Sequence, residues 1–238
     1  MNGSSRSIGE LADHVAEKDL PLLFLDTCAL LDVIRAPFRH DDANETIATI
    51  SGAMQLADRQ DEFVLAVSSI VPGEFRAHFS RVTDELTSHC QSLIDEITAM
   101  DALFKSLGLQ THLPIPHNSY RELESRLRQL AKRLLANAFI LKPEDSIELK
   151  AFRRSKGRIP PGQRRDQDKD CQIFEECLEA SRLLRNENHS GRIVFCTSNR
   201  RDYCAVRSVP HPEITKELDS VNVTFTTNLP WACAELGL

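Results

Sequence analysis

The chain has 238 residues, 41% of them hydrophobic and 27% charged, with a formal net charge of −6. That is the composition of a globular chain long enough to bury one sizeable core. No apolar run approaches the roughly 20 residues of a bilayer crossing, and the first residues, MNGSSRSIGELADHVAEKD, lack the apolar stretch of a secretory signal. The expected address is therefore the cytoplasm, with no membrane partner. Seven cysteines, an odd number with no CxxC pair, argue against a disulfide framework and a structural zinc site.

Taken in chain order, residues 1–20 are expected to form an N-terminal extension and 21–238 a single domain. Residues 22–25, LLFL, form an apolar run ending at Asp26, the signature of a buried parallel strand. TCALLDVIRAP then carries Ala29, Leu30, Val33 and Ile34 at helical spacing and is expected to stop near Pro37. A further helix is expected over 44–60, and a second strand over 63–70, FVLAVSSI. Val71–Pro72–Gly73 turns into a helix bearing Glu74, Phe75 and Phe79.

Residues 82–107 and 119–140 show two long amphipathic patterns, and segment 82–140 is expected to be an inserted helical hairpin. Residues 151–165, AFRRSKGRIPPGQRR, carry six basic residues and no acid, and the composition predicts a basic loop. A helix follows from about Asp168 to Leu184, then a strand over 192–197, RIVFCT, and the turn SNRRDY. A last strand over 221–226 and a short helix around Trp231 close the chain. Strands alternating with helices predict a three-layer α/β/α fold with a mainly parallel central sheet. In such sheets the site lies outside the carboxyl ends of the strands.

Several acids fall there. Asp26 ends the first strand, Glu74 opens the helix after the second, Asp202 follows the third, and Asp170 lies near the start of the helix leading back to it. Clustered carboxylates repel one another unless cations neutralise them. Hard divalent ions take such oxygen ligands, and two of them can activate water and steady a leaving oxygen in phosphodiester cleavage. Each acid also has an ordinary structural role open to it. Asp26 suits a helix cap, Glu74 and Asp170 suit a first helical turn, and Asp202 suits a turn. The ordered set, each member tied to a strand end, favours a shared site.

Four segments resemble the PIN-domain nuclease family. LFLDTCALLDVI is similar to the opening strand and Asp-Thr of that family, and VLAVSSIVPGEF to its second strand and Glu-bearing helix. KDCQIFEECLEASRLL resembles its third acidic motif, and TSNRRDY its Thr-x-Asn-x-x-Asp-Phe motif with Tyr203 in place of Phe. The motifs stand in the family's order and cover roughly residues 21–81 and 166–228. Pro160–Pro161–Gly162 before Asp170 is similar to a larger PIN-like subfamily, although Lys169 stands where that subfamily tends to have Gly.

The resemblance implies Asp26, Glu74, Asp170 and Asp202 as a quartet binding Mg²⁺ or Mn²⁺, with Thr197 and Asn199 organising the fourth motif. Asp166 and Asp168, close by, are alternatives to Asp170 in the third position. The implied activity is hydrolysis of RNA phosphodiesters, single-stranded RNA being the expected substrate. A homodimer and an inhibitor protein are partners the family admits. Asp32, in the first helix, is read as structural. Arg153, Arg154, Lys156, Arg158, Arg164 and Arg165 are expected to meet substrate phosphates, since an acidic protein needs a local source of positive charge for nucleic acid. Three other readings remain: a PIN-like module that binds RNA or protein without cutting, a flap-type DNA nuclease, and a phosphatase or other small-molecule hydrolase. The last lacks a DxDxT or Gly-rich phosphate loop.

Overall fold

The computed structural model describes residues 5–39, 42–109, 117–164 and 167–238. The chain begins with α1 (Ile8–Lys18), β1 (Leu22–Leu25), α2 (Thr27–Arg39) and α3 (Ala43–Asp58). β2 (Val64–Val67) leads into α4 (Val71–Ser106), and α5 (His117–Asn137) precedes the short β3 (Phe139–Ile140). Next come α6 (Asp145–Lys156), α7 (Asp168–Asn186) and β4 (Ile193–Cys196). After β4 the chain forms α8 (Arg200–Tyr203), a hairpin of β5 (Cys204–Val206) and β6 (Val209–Pro210), α9 (Pro212–Ser220), β7 (Thr224–Thr226) and α10 (Leu229–Leu236).

The central sheet has five parallel strands in the order β3-β2-β1-β4-β7. β1, β2 and β4 are each four residues long and buried throughout, which is why their sequences are unbroken apolar runs. Burying each of Leu22, Leu23, Phe24 and Leu25 stabilises the fold by about 1.5–3 kcal/mol relative to exposure. Two helical layers cover the sheet. α7 packs against α1 and α6, whereas α2 packs against α3, α4 and α5, and α10 against α3. The architecture is α/β/α in three layers.

Several elements differ from the sequence-based expectation. The N-terminal extension holds α1, started by a capping box in which Ser7 and Glu10 satisfy each other's backbone N–H. Its apolar face, Ile8, Leu11 and Val15, joins the main core. α2 runs through Pro37 to Arg39, because proline that near the end removes a single helical hydrogen bond. α4 is continuous from Val71 to Ser106, so the Glu74-bearing helix and the pattern at 82–107 are one element, and α5 packs on α2, α3 and α4. Ala151–Lys156, expected in a loop, forms the last turns of α6.

Candidate functional site

The strand order reverses at β1. The chain moves outward through β2 and β3, then crosses to place β4 on the other side of β1. A crevice therefore opens beyond the carboxyl ends of β1 and β4, the usual place for a ligand in an open α/β sheet. Asp26 is the first residue past β1, and its N–H donates to the Cys196 carbonyl at 3.1 Å. Thr197 is the first past β4, and its N–H donates to the Thr226 carbonyl at 3.1 Å. The two strand ends are joined by the Thr197 hydroxyl, which donates to Asp26 Oδ2 at 2.6 Å.

Glu74 enters from the first turn of α4, where Thr27 Oγ1 donates to its Oε2 at 2.9 Å and Lys169 Nζ stands 3.2 Å from its Oε1. Asp170 enters from the first turn of α7. That helix is held against the end of β2 by Glu176, which accepts from the Ser69 N–H at 3.2 Å and the Ser69 hydroxyl at 2.9 Å. Asn199 ties the remaining acids together. Its amide nitrogen donates to Asp170 Oδ1 at 3.1 Å and to Asp202 Oδ2 at 3.0 Å, while its backbone N–H donates to Thr197 Oγ1 at 3.1 Å. Tyr203, fully buried against Phe174 and Phe195, donates its hydroxyl to the Asp170 carbonyl at 2.9 Å.

These carboxylates act on one another. Asp26 is 1% exposed, and burial pushes its carboxyl up to about 6. The Thr197 hydrogen bond opposes the rise, the Glu74 charge adds to it, and the backbone N–H groups of Thr27 and Cys28 favour the charged form. The start of α2 thus acts on the Asp26 carboxylate alongside Thr197. Burial, and then the charges of Asp26, Asp202 and Glu74, raise Asp170 to about 7 against the Asn199 hydrogen bond. Burial and the acidic neighbours thus both disfavour the charged form of Asp170.

Asp168 is the first residue of α7, while Asp166 lies outside the described residues. Of Asp168 and Asp170, Asp170 is the one bonded by Asn199. Asp32 is buried and paired with Arg39 and, at 3.9 Å, with Arg35.

The donor set suits magnesium or manganese in kind: four carboxylates and an amide, all hard oxygen or hydrogen-bonding groups, with Asp202 Oδ1 buried and lacking a hydrogen-bond partner among the described residues. It is not drawn together for an ion, because among the described residues no three acid, His or Cys side chains form a ready metal-holding group. Two cations face these acids. Lys169 faces Glu74, and Arg164 lies 3.8 Å from Asp202 Oδ1.

The basic stretch divides. Arg153, Lys156 and Arg158 are exposed, and Arg165 lies outside the described residues. Arg154 does not reach a substrate surface, which corrects the role expected of it. It is 5% exposed and donates to Glu175 Oε1 at 2.7 Å, Glu217 Oε1 at 2.7 Å and the Pro160 carbonyl at 2.6 Å. A buried guanidinium needs such partners, and two acids on α7 and α9 supply them. Thr27 and Lys169 are site residues that the sequence reading did not select. Their adjacency to Asp26 and Asp170 in the motifs was the available signal.

No protein-family model, curated protein or solved structure matches this chain. No helix among the described residues is long and apolar enough to cross a membrane.

Proposed function

We propose that this chain is a divalent-cation-dependent nuclease of the PIN type that hydrolyses single-stranded RNA. The observation that carries this reading is the meeting of Asp26, Glu74, Asp170 and Asp202 at the β1–β4 switch point, linked through Thr27, Thr197 and Asn199, where burial first and neighbouring carboxylate charge second raise Asp26 to about 6 and Asp170 to about 7. A structural cluster gains nothing from that repulsion, whereas a cation relieves it. Asp26, Asp170, Asp202 and Glu74 would hold the magnesium or manganese, which when bound supplies an activated water and charge for the phosphoryl oxygens. Thr197 keeps Asp26 oriented and favours its charged form. Asn199 holds Asp170 and Asp202 to one separation, and Lys169 and Arg164 are positioned to meet phosphate oxygens beside the acids.

A second reading has an observation of its own. Lys169 on Glu74 and the lack of a ready metal-holding group among the described residues favour a binding module that does not cut. One mutant separates the two. Asp26→Asn keeps shape and capping ability but removes a cation-binding charge. Cleavage of a labelled single-stranded RNA in manganese is expected to fall more than about 100-fold, with the fold intact by circular dichroism. Wild-type protein that leaves the RNA whole in manganese and magnesium, or that cuts equally well in EDTA, removes the nuclease reading.

A further inference from the structure

Beside the acid cluster lies a cavity of about 1120 Å³. It is bounded by α2, α3, the segment Ser198–Arg201 and the segment Thr227–Trp231. Asn199, the residue that ties Asp170 to Asp202, is part of its wall, so the cavity is continuous with the cluster.

Its charge and its one large aromatic define the occupant. Arg35 and Arg39 are committed to Asp32. Arg200 and Arg201 are exposed and have no acid partner among the described residues, in a protein whose net charge is −6. Asp42, the N-cap of α3, lines the opposite side, so a polyanion would follow the Arg200–Arg201 side. Trp231, the chain's single tryptophan, is 66% exposed on the first turn of α10, whose N-cap Asn228 accepts from the Trp231 backbone N–H at 3.0 Å. An exposed indole beside a groove whose exposed arginines have no acid partner among the described residues is the pairing of stacking platform and phosphate contact found where unpaired nucleotides bind.

We propose that this groove binds a few unpaired nucleotides of the substrate strand, with Arg200 and Arg201 on phosphates and Trp231 stacked on a base. The proposal rests on the acid cluster being a phosphodiester site and extends it by assigning the flanking strand a path. A duplex, whose bases are already stacked and covered, does not fit Trp231.

Because Trp231 is the single tryptophan, its fluorescence reports the groove directly. The full chain carrying Asp26→Asn, in EDTA, would be titrated with a ten-residue oligouridylate, the same oligomer in duplex form, and an unrelated folded protein. Saturable quenching by the single strand alone is expected. By anisotropy of a labelled oligomer, Trp231→Ala should weaken binding about 5- to 100-fold, with Trp231→Phe recovering most of it. The Arg200→Ala, Arg201→Ala double variant should flatten the salt dependence by a slope of about 1.4. Absence of quenching at low salt, equal quenching by duplex or by the unrelated protein, or unchanged affinity of Trp231→Ala overturns the groove. Wild-type cleavage in manganese with a silent Trp231 discards the groove and keeps the nuclease; quenching with no cleavage does the reverse.

Discussion

Thr197 donates a 2.6 Å hydrogen bond to Asp26 across the seam between β4 and β1, so two residues 171 positions apart form one unit at the centre of the sheet edge. The same hydroxyl accepts from the Asn199 N–H at 3.1 Å. Thr197→Val fills the space but removes both bonds. The buried Asp26 carboxylate then loses the side-chain partner that lowers its pKa, and its titration moves above about 6. Unfolding in urea at pH 8 should show a loss of about 1–3 kcal/mol. The acid limb of cleavage against pH should move upward in parallel. An unchanged profile would show that the bond is incidental to Asp26.

The raised carboxyls also set a pH dependence of stability. Asp26 and Asp170 start from ordinary values of 3.8 and rise to about 6 and 7 in the fold. Between those limits the folded chain holds protons that the unfolded chain has released, so stability falls as pH rises from about 4 to 7. His14 and His189, held below their ordinary value by burial, act in the opposite sense at the acid end. Comparison with Asp170→Asn cancels the histidines. In EDTA the variant should be more stable than wild type at pH 8, by on the order of 2 kcal/mol, and close to it at pH 4. Manganese should restore wild-type stability at pH 8 and do little for the variant. Parallel melting curves for the two proteins across pH would disprove the coupling.

Arg154 is expected to govern stability and not phosphate contact. Arg154→Ala leaves Glu175 buried without its partner and strands Glu217 and the Pro160 carbonyl. A cost of about 3–5 kcal/mol follows from removing one member of a buried ion pair. Arg153→Ala, one residue away on the exposed face of α6, should lie within about 0.5 kcal/mol of wild type. Equal urea midpoints for the two variants would contradict the pairing.

These contrasts explain what could be read from the sequence. β1, β2 and β4 were visible because each is a four-residue apolar run closed by a polar residue, and Asp26 and Thr197 fall at those closures. β3 was not visible, because two residues at the foot of α5 carry no period. α1 does carry a signal in the expected N-terminal extension, the Ser7-x-x-Glu10 capping box before Leu11 and Val15. Arg153, Arg154, Lys156, Gly157, Pro160 and Pro161 have loop composition, which hides that Ala151–Lys156 complete α6. Nothing local reveals that Arg154 turns inward, since its partners Glu175 and Glu217 lie 21 and 63 residues on. Likewise, the pairing of Lys169 with Glu74 depends on the tertiary placement of α7 against α4.

Gly162 gives the last test, linking the Pro-Pro-Gly stretch to the acid cluster through packing. Its backbone is not left-handed; close approach is what demands glycine here. A Cβ added there would lie 2.7 Å from Cys171 Sγ and 2.8 Å from the Ser155 Cα. The thiol could yield, but the Ser155 Cα is backbone of α6, so α6 and α7 would have to part. Gly162→Ala should therefore cost about 1–3 kcal/mol. Cys171→Ala in the same chain should recover part of the loss and not all of it, because the clash with Ser155 persists. A double-mutant cycle by urea unfolding measures that coupling. Asp170 immediately precedes Cys171, so cleavage by Gly162→Ala should fall at temperatures where the variant remains fully folded. A variant as stable as wild type, or one destabilised with no coupling to Cys171, would mean that the contact yields at no cost and that the stretch does not position Asp170.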